Sequence, residues 1–194
     1  MDFDMSLARI AIFISGSGSN AERIITHFQK HESIKVALLL SNNSEAYGLQ
    51  RAAQYNIATL VFNKAQFRES DEVVEVLKAA GITHIVLAGF LWLIPQNLLS
   101  AFPGRIINIH PALLPKFGGK GMYGMRVHEA VKQAGETETG ITIHEVNARY
   151  DEGKILSQQK CSIEKSDTPE DIARKVQQLE HRYYPLVIEK WITS

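Results

Sequence analysis

Residues 9–20, RIAIFISGSGSN, join an apolar run to a glycine-rich turn, and this junction constrains the fold more than any other part of the sequence. The run at 9–15 is apolar and partly β-branched, which predicts a strand buried on both faces. After the turn, apolar residues recur at helical spacing: Ala21, Ile24, Ile25 and Phe28. A buried strand, a tight turn and a helix form the repeating unit of a parallel sheet covered by helices.

The same alternation continues along the chain. Further apolar runs predict strands at 34–41, 58–62, 83–89, 105–110, 140–147 and 154–163. Amphipathic stretches predict helices at 48–55, 67–80, 124–134 and from 166 to about 191. Gly81 is placed to end the second of these helices. Ser166 or Asp167 is expected to cap the last one, with Pro169 in its first turn.

These elements predict an α/β fold: a Rossmann-like, mostly parallel twisted sheet flanked by helices, in a single domain over residues 1–194. Lys and Arg number 21, and Asp and Glu also number 21, so the balanced charge argues against a nucleic-acid partner. Cys161 is the only cysteine, which favours a reduced cytoplasmic compartment. Asp2 and Asp4 precede a short apolar run, so neither a secretory signal nor a membrane span is expected.

The glycine turn has the composition of an anion-binding loop. Gly16, Gly18 and Ala21 fit the pattern G-x-G-x-x-G/A, which lets backbone N–H groups at a helix N-terminus approach a phosphate. A dinucleotide site also needs an acidic residue at the end of the second strand, where this chain has Asn42 and Asn43. The loop therefore predicts a phosphate site that is not clearly a dinucleotide site, and a turn that binds nothing stays open.

A second group of polar residues follows the apolar strand at 105–110. Asn108 and His110 lie two positions apart, so they share one face at the carboxyl end of that strand. Asp151 and Gly153 form a turn between two later strands. An amide and an imidazole can stabilise a carbonyl oxygen that gains negative charge, and a carboxylate can orient the imidazole. No metal-ligand pattern accompanies them, and we expect no metal.

The chain resembles the folate-dependent phosphoribosylglycinamide formyltransferase family of purine synthesis from about residue 9 to residue 191. The matching stretches are ISGSGSN (14–20), SN (41–42), LAGFLWLI (87–94), INIHPALLP (107–115), VHEAV (127–131), the TGITIHEVN–DEG region (139–153) and QQLEHRYYP (177–185). Gly118 and Lys154 depart from the family, which often has proline at both positions. The resemblance implies formyl transfer from 10-formyltetrahydrofolate to the amine of glycinamide ribonucleotide.

The resemblance also implies roles for individual residues. The catalytic residues would be Asn108, His110 and Asp151. The ribonucleotide would contact Gly18, Ser19, Asn20, Gly89, Leu91, Pro111, Gln177 and Glu180. The folate would contact Leu91, Trp92, Leu93, Ile94, Asn108, Asn147, Ala148, Arg149, Tyr150 and Asp151. The phosphate-binding half would cover about 8–104, and the folate-binding and catalytic half about 105–194.

Three alternatives stay open from the sequence. A 10-formyltetrahydrofolate hydrolase or another formyltransferase would share Asn108, His110 and Asp151. Those relatives carry additional regulatory or tRNA-binding domains, which we do not expect here. A non-catalytic nucleotide-binding module would bind the phosphate compound without binding folate. The expected partners are the two small molecules, without nucleic acid or membrane, and a monomer and a homodimer are equally compatible with the sequence.

Overall fold

The computed structural model describes residues 7–194 as one seven-stranded sheet with helices on both faces. Asp2 and Asp4, on which the expected absence of a secretory signal rested, lie outside the described residues. The strands are β1 (Ala8–Ile14), β2 (Ile34–Ser41), β3 (Ala58–Val61), β4 (His84–Leu87), β5 (Ile106–His110), β6 (Glu138–Glu145) and β7 (Ile155–Ser162). The helices are α1 (Ser19–Phe28), α2 (Tyr47–Gln54), α3 (Lys64–Arg68), α4 (Glu72–Ala79), α5 (Gln96–Ala101), α6 (Met125–Gln133) and α7 (Pro169–Thr193).

The sheet has the strand order β3-β2-β1-β4-β5-β6-β7. The first five strands pair in parallel, whereas β6 and β7 pair antiparallel, which confirms the predicted mostly parallel α/β fold. The chain moves from β1 outward to β3, then returns to lay β4 on the other side of β1. That reversal opens a crevice at the carboxyl ends of β1 and β4, where open α/β sheets usually bind ligands.

Burial explains why the apolar runs became strands. Residues 10–14 of β1 are fully buried, because helices cover both faces of the sheet. Two layers of apolar side chains result: one contains Ile12, Phe28 and Tyr184, and the other contains Phe13 and Phe67. The edge strand β7 instead alternates between exposed and half-buried residues, as expected for a strand with one face packed.

Three local predictions were wrong. The predicted helix at 67–80 is two helices, because Asn63 starts α3 with a reciprocal capping box and the chain turns before Asp71 starts α4. Helix α5 was missed, since its six residues are too few to show a helical period. Thr168, rather than Ser166 or Asp167, caps α7 by exchanging hydrogen bonds with Asp171.

The long helix α7 ties the two ends of the sheet together. It packs against α1 and α6 and against β6 and β7. The hydroxyl of Tyr184, fully buried, donates to the carbonyl oxygen of Leu87 at 2.8 Å. This contact fixes α7 beside the end of β4, so the first turns of α7 form a wall of the crevice.

Candidate active site

A cleft of about 680 Å³ lies at the carboxyl ends of β1, β4 and β5. Its volume falls within the range of small-molecule sites. Segments far apart in sequence line it: residues 16–20 after β1, 87–94 at the end of β4, 108–111 of β5, 119–125 before α6, 149–151 before β7, and one face of α7. The cleft is therefore assembled by the topology of the sheet rather than by any one loop.

The glycine loop forms one end of the cleft. Gly18 has φ of 70°, a left-handed conformation that glycine adopts without strain, and it precedes α1 without a side-chain cap. The N-terminus of α1 therefore presents N–H groups that can donate hydrogen bonds to a bound anion. Asn20 donates through Nδ2 to Glu180 Oε2 at 2.9 Å, and Gln177 of α7 lies 3.5 Å from the Ser19 hydroxyl. Two residues of α7 thus meet the loop.

Burial affects the carboxyl group of Glu180. The side chain faces the cleft but is surrounded by protein, and this burial raises the pKa of Glu180 above its usual range. The hydrogen bond from Asn20 acts in the opposite direction without cancelling the effect. The side-chain oxygen of Asn20 is itself buried and has no hydrogen-bond partner among residues 7–194. A polar ligand at this place would form hydrogen bonds with both the Glu180 carboxyl group and the side-chain oxygen of Asn20.

The segment after β4 forms the next wall. Gly89 has φ of 75°, and its carbonyl accepts from the Ser15 N–H at 3.1 Å, while the Leu91 N–H donates to the Ser15 hydroxyl at 3.0 Å. Trp92 packs its ring against Phe62, Phe67 and Phe90 at centroid distances of 5.8–6.3 Å. The bulk of Trp92 is thereby anchored in an aromatic cluster, and residues 87–94 line the cleft.

Asn108 and His110 project from the end of β5 into the cleft, with His110 only 3% exposed. The Nε2 atom of His110 lies 2.7 Å from the carbonyl oxygen of Phe117, so that nitrogen carries a proton. Its Nδ1 atom lies 3.5 Å from Asp151 Oδ2. Both ring nitrogens therefore face acceptors, and the structure brings Asn108, His110 and Asp151 together.

His144 on β6 links the other two polar groups. Its Nδ1 atom lies 2.9 Å from the Glu145 carbonyl, and its Nε2 atom faces Asn108 and Asp151. That Nε2 atom is 3.3 Å from Asn108 Nδ2 and 3.6 Å from Asp151 Oδ1. The Asn108 amide therefore lies within hydrogen-bond distance of His144, and one of its N–H groups remains for the cleft. His144 is placed to orient Asn108.

Asp151 occupies a constrained turn. Its φ is 58°, and its carboxylate accepts from the Gly119 N–H at 2.8 Å. A Cβ at Gly118 would lie 2.4 Å from the Leu114 side chain and 3.3 Å from Asp151 Cβ, so the glycine lets the 117–121 loop pass close to Asp151. Burial alone would raise the pKa of Asp151, but His144, the charge of His110 and the Gly119 N–H together lower it. Asp151 is therefore ionised at neutral pH.

The histidines around Asp151 respond to burial. Desolvation lowers the pKa of His110 below its usual value, although the Asp151 charge opposes that effect. Burial and the nearby His110 also lower the pKa of His128 on α6. The Nδ1 atom of His128 is buried without a hydrogen-bond partner among the described residues, and the ring lines the cleft. The cleft thus holds the carboxyl groups of Asp151 and Glu180 together with the rings of His110, His128 and His144.

All but two of the residues predicted to bind a substrate line the cleft. The exceptions are Asn147 and Ala148, which are exposed outside its lining. Residues 119–125 and His128 also line the cleft and were not among the predicted site residues. His128 could have been noticed, because it falls on the apolar face of a predicted helix between Val127 and Val131. Residues 119–125 gave no such signal, because an irregular loop has no period.

Among residues 7–194, no group of three or more His, Cys, Asp or Glu side chains is arranged to hold a metal ion. Within the same residues, no helix combines the length and apolar character needed to cross a bilayer.

Fold and cleft together define a class: an α/β protein with a glycine-rich loop and an Asn–His–Asp group in one cleft at the carboxyl ends of its parallel strands. A family model described as "Formyl transferase" matches residues 8–188. The chain therefore belongs to the formyl transferase family.

The relatives within this family narrow the class further. Phosphoribosylglycinamide formyltransferase of Bacillus subtilis is 37% identical over 95% of this chain and 94% of its own length. The chloroplastic phosphoribosylglycinamide formyltransferase of Arabidopsis thaliana is 44% identical over 93% of this chain, which spans only 64% of that longer relative. The crystal structure of the Bacillus halodurans protein of the same name superposes with a TM-score of 0.85 at 39% identity, covering 96% of each chain.

Proposed function

We propose that this protein transfers the formyl group of 10-formyltetrahydrofolate to the amine of glycinamide ribonucleotide, giving formylglycinamide ribonucleotide and tetrahydrofolate. The observation that carries the proposal is the shared cleft, which brings the glycine loop within one cavity with Asn108, His110 and Asp151. An anion-binding loop suits a ribonucleotide phosphate, and the polar group suits a carbonyl that gains charge. The names of the relatives support the same reaction.

The ribonucleotide is proposed to lie between the glycine loop and α7. Gly18, Ser19 and Asn20 would hold its phosphate, while Gln177 and Glu180 would contact its ribose. The Asn20–Glu180 hydrogen bond and the unpartnered Asn20 oxygen support this placement, because both mark polar groups at the surface of the cleft. The remaining proposed contacts along the path to the reacting amine are Gly89, Leu91 and Pro111, all of which line the cleft.

The folate is proposed to lie across the cleft from the phosphate loop. The backbone of residues 91–94 would receive the pterin, and the segment from Asn147 to Asp151 would close the other side. Asn147 and Ala148 would act by shaping that loop, since they lie outside the cleft lining. On this proposal, residues 8–104 contribute the phosphate-binding half and residues 105–194 the folate-binding and catalytic half of one domain.

The proposed reaction is a direct attack without a covalent enzyme intermediate. The neutral amine of the ribonucleotide adds to the formyl carbon, and the formyl oxygen gains negative charge. The free N–H of Asn108 donates to that oxygen, and His110, in its protonated form beside Asp151, adds positive charge. The bond from the formyl carbon to N10 then breaks, while Asp151 relays the proton of the attacking nitrogen through water to N10. Holding both reactants in one cleft supplies the proximity that such a reaction needs.

A direct assay tests the proposed function. Purified protein is incubated with 10-formyltetrahydrofolate and glycinamide ribonucleotide, and the formylated ribonucleotide and tetrahydrofolate are quantified against a control that lacks the ribonucleotide. Stoichiometric transfer that depends on the ribonucleotide is the expected result. Tetrahydrofolate release at the same rate in the control identifies a hydrolase instead. Binding of the ribonucleotide without folate binding or turnover identifies a nucleotide-binding module.

We further propose that the enzyme works in the cytoplasm on these two small molecules, as a monomer or homodimer, without nucleic-acid or membrane partners. The single cysteine and the balanced charge support these proposals. Because the Arabidopsis relative is named chloroplastic, cell fractionation is the measurement that decides the compartment. Light scattering on the purified protein decides between monomer and dimer.

A further inference from the structure

Helix α2 contacts the glycine loop through two donors that bind consecutive loop carbonyls. The backbone N–H of Gly48, in the first turn of α2, donates to the Gly16 carbonyl at 3.1 Å. One turn further along α2, the Nε–H of Arg51 donates to the Ser17 carbonyl at 3.0 Å. No other helix bonds these two carbonyls among the described residues.

The hydrogen bonds to these two carbonyls also fix the direction of the neighbouring N–H groups of the loop. In a planar trans peptide, the C=O of one residue and the N–H of the next point in opposite directions. The bond to Gly16 C=O therefore turns the Ser17 N–H away from α2, and the bond to Ser17 C=O does the same for the Gly18 N–H. Neither of these N–H groups has a protein acceptor among residues 7–194. Both residues line the cleft, so α2 sets the direction of two donors available to an anion.

The close approach of α2 depends on a pair of glycines. A Cβ on Gly48 would lie 2.3 Å from the Ile14 side chain and 3.0 Å from the Gly18 Cα. A Cβ on Gly18 would lie 2.5 Å from the Gly48 Cα. Any side chain at either position would force the helix and the loop apart, because real Cβ contacts do not reach these distances. The backbones therefore touch at this one point.

The guanidinium of Arg51 is held in place from several sides. It pairs with Glu22 in the first turn of α1 and stacks over the ring of Tyr47, 4.9 Å from the centroid. The Tyr55 hydroxyl also reaches Glu22, at 3.5 Å. The side chains of Arg51 and Glu22 are only 27% and 25% exposed, so solvent screens their pairing less than that of a surface pair. Residues 16–20 contain no Lys or Arg. Arg51 is a positively charged residue outside the loop whose guanidinium donates a hydrogen bond to it.

We propose that Arg51 is a positioning residue for phosphate binding, which holds the Ser17 carbonyl and thereby turns the Gly18 N–H group towards the phosphate monoester of the substrate. This inference rests on the proposed function for the identity of that substrate. It assigns to α2 a role that the sequence motif alone does not contain, because the glycine pattern ends before α2 begins. Arg51 itself donates to protein groups and does not need to contact the phosphate.

The test compares the variant R51Q with R23Q as a matched control. R23Q removes the same charge from α1, where Arg23 has no bond to a loop carbonyl. Calorimetric titration with ribose 5-phosphate and with ribose measures binding without any formyl transfer. We expect R51Q to weaken ribose 5-phosphate binding at least 10-fold and R23Q to weaken it less than 3-fold. In the formyl-transfer assay, R51Q should raise KM for glycinamide ribonucleotide by a similar factor and leave KM for the folate unchanged.

The dephosphorylated substrate separates positioning from a general structural defect. With glycinamide riboside in place of the ribonucleotide, R51Q and the unsubstituted protein should have equal kcat/KM, because no phosphate remains to be oriented. An equal loss on both substrates, or equal binding of ribose 5-phosphate by R51Q and the unsubstituted protein, overturns the inference while leaving the proposed function intact. Ribose 5-phosphate binding that depends on Arg51 in a protein without transferase activity overturns the proposed function alone. A protein that binds no phosphate compound overturns both.

Discussion

At the residue scale, Asn108 is the group whose donor is most directly available to a substrate. Its amide nitrogen lies 3.3 Å from His144 Nε2, which leaves one N–H for the cleft. We expect N108A to lower kcat for formyl transfer by about 10²–10³-fold, the usual cost of removing one preorganised oxyanion donor. Steady-state kinetics measure the loss, and a thermal unfolding midpoint close to that of the unsubstituted protein shows that the fold survives. Near-normal kcat would contradict the assigned role.

Asp151 and His110 form a coupled pair whose direction of coupling can be tested. The Asp151 carboxylate raises the pKa of His110 against the stronger effect of burial, so D151N should lower the pKa of His110 further. Titration of the His110 ring by NMR in both proteins measures this change. We also expect D151N to lose at least about 10²-fold in kcat, because the proton relay and the charge on His110 fail together. An unchanged His110 titration would show that the 3.5 Å approach carries no useful coupling.

Asp151 also links the site to acid stability. Because its pKa is lower in the folded protein than in the unfolded chain, its ionisation stabilises the fold above the unfolded value, and this contribution disappears as pH falls through the folded value. The D151N substitution should therefore change the free energy of unfolding less below pH 4 than at pH 7. Denaturant unfolding of D151N and the unsubstituted protein at both pH values gives the comparison.

The pKa of Glu180 is shifted in the opposite direction to that of Asp151. Burial raises its pKa, so ionisation at neutral pH costs stability, and that cost fades as pH falls through the raised value towards the unfolded one. E180Q keeps an acceptor for Asn20 and removes the charge. We expect E180Q to raise Tm by about 2 °C at pH 7, with a smaller difference at pH 4.5, and to weaken ribonucleotide binding. A lower Tm at pH 7 would show that the buried carboxylate stabilises the free protein.

At the scale of elements, the cap of α7 can be tested with a matched pair. The Thr168 hydroxyl accepts from the Asp171 N–H at 3.2 Å and donates to the Asp171 carboxylate at 2.8 Å, whereas Ser166 has no capping bond. T168A should therefore lower the free energy of unfolding by about 1 kcal/mol, and S166A should leave it unchanged. Chemical denaturation measures both. Equal losses of stability in T168A and S166A would show that Thr168 is not the residue that caps α7.

The elements that the sequence predicted well are those with a strong period. All seven strands were found within a few residues, because apolar runs such as 34–41 carry their own burial signal. Helix α3 was merged with α4, because the break depends on the bonds of Asn63 and Ser70, which a hydrophobic pattern does not contain. Asn108 and His110 could be placed on one strand face from alternation alone. Their distances to Asp151 depend on how the turn at 151 folds back, which no local pattern specifies.

At the scale of the whole molecule, the site is a product of topology. His144 reaches Asn108 because β6 lies antiparallel beside β5, with His144 directly opposite Asn108. The last helix reaches the glycine loop because Tyr184 fixes α7 at the end of β4. A sequence pattern can indicate which residues carry chemistry, but the pairing of distant strands decides which of them meet. That is why the 119–125 loop and the contact of His144 with Asn108 emerge only from the structure.

The same topology predicts that the two proposed halves unfold together. Residues 8–104 and 105–194 share the sheet through β4 and β5, where Ile85 pairs with Ile106, and α7 covers strands of both halves. Scanning calorimetry should give one transition with equal calorimetric and van't Hoff enthalpies. Ribose 5-phosphate should shift that whole transition upward, because its proposed site draws Ser19 from one half and Gln177 from the other. Two resolved transitions, with only one shifted by the ligand, would instead show that the halves are separate folding units and that the cleft between them can open without global unfolding.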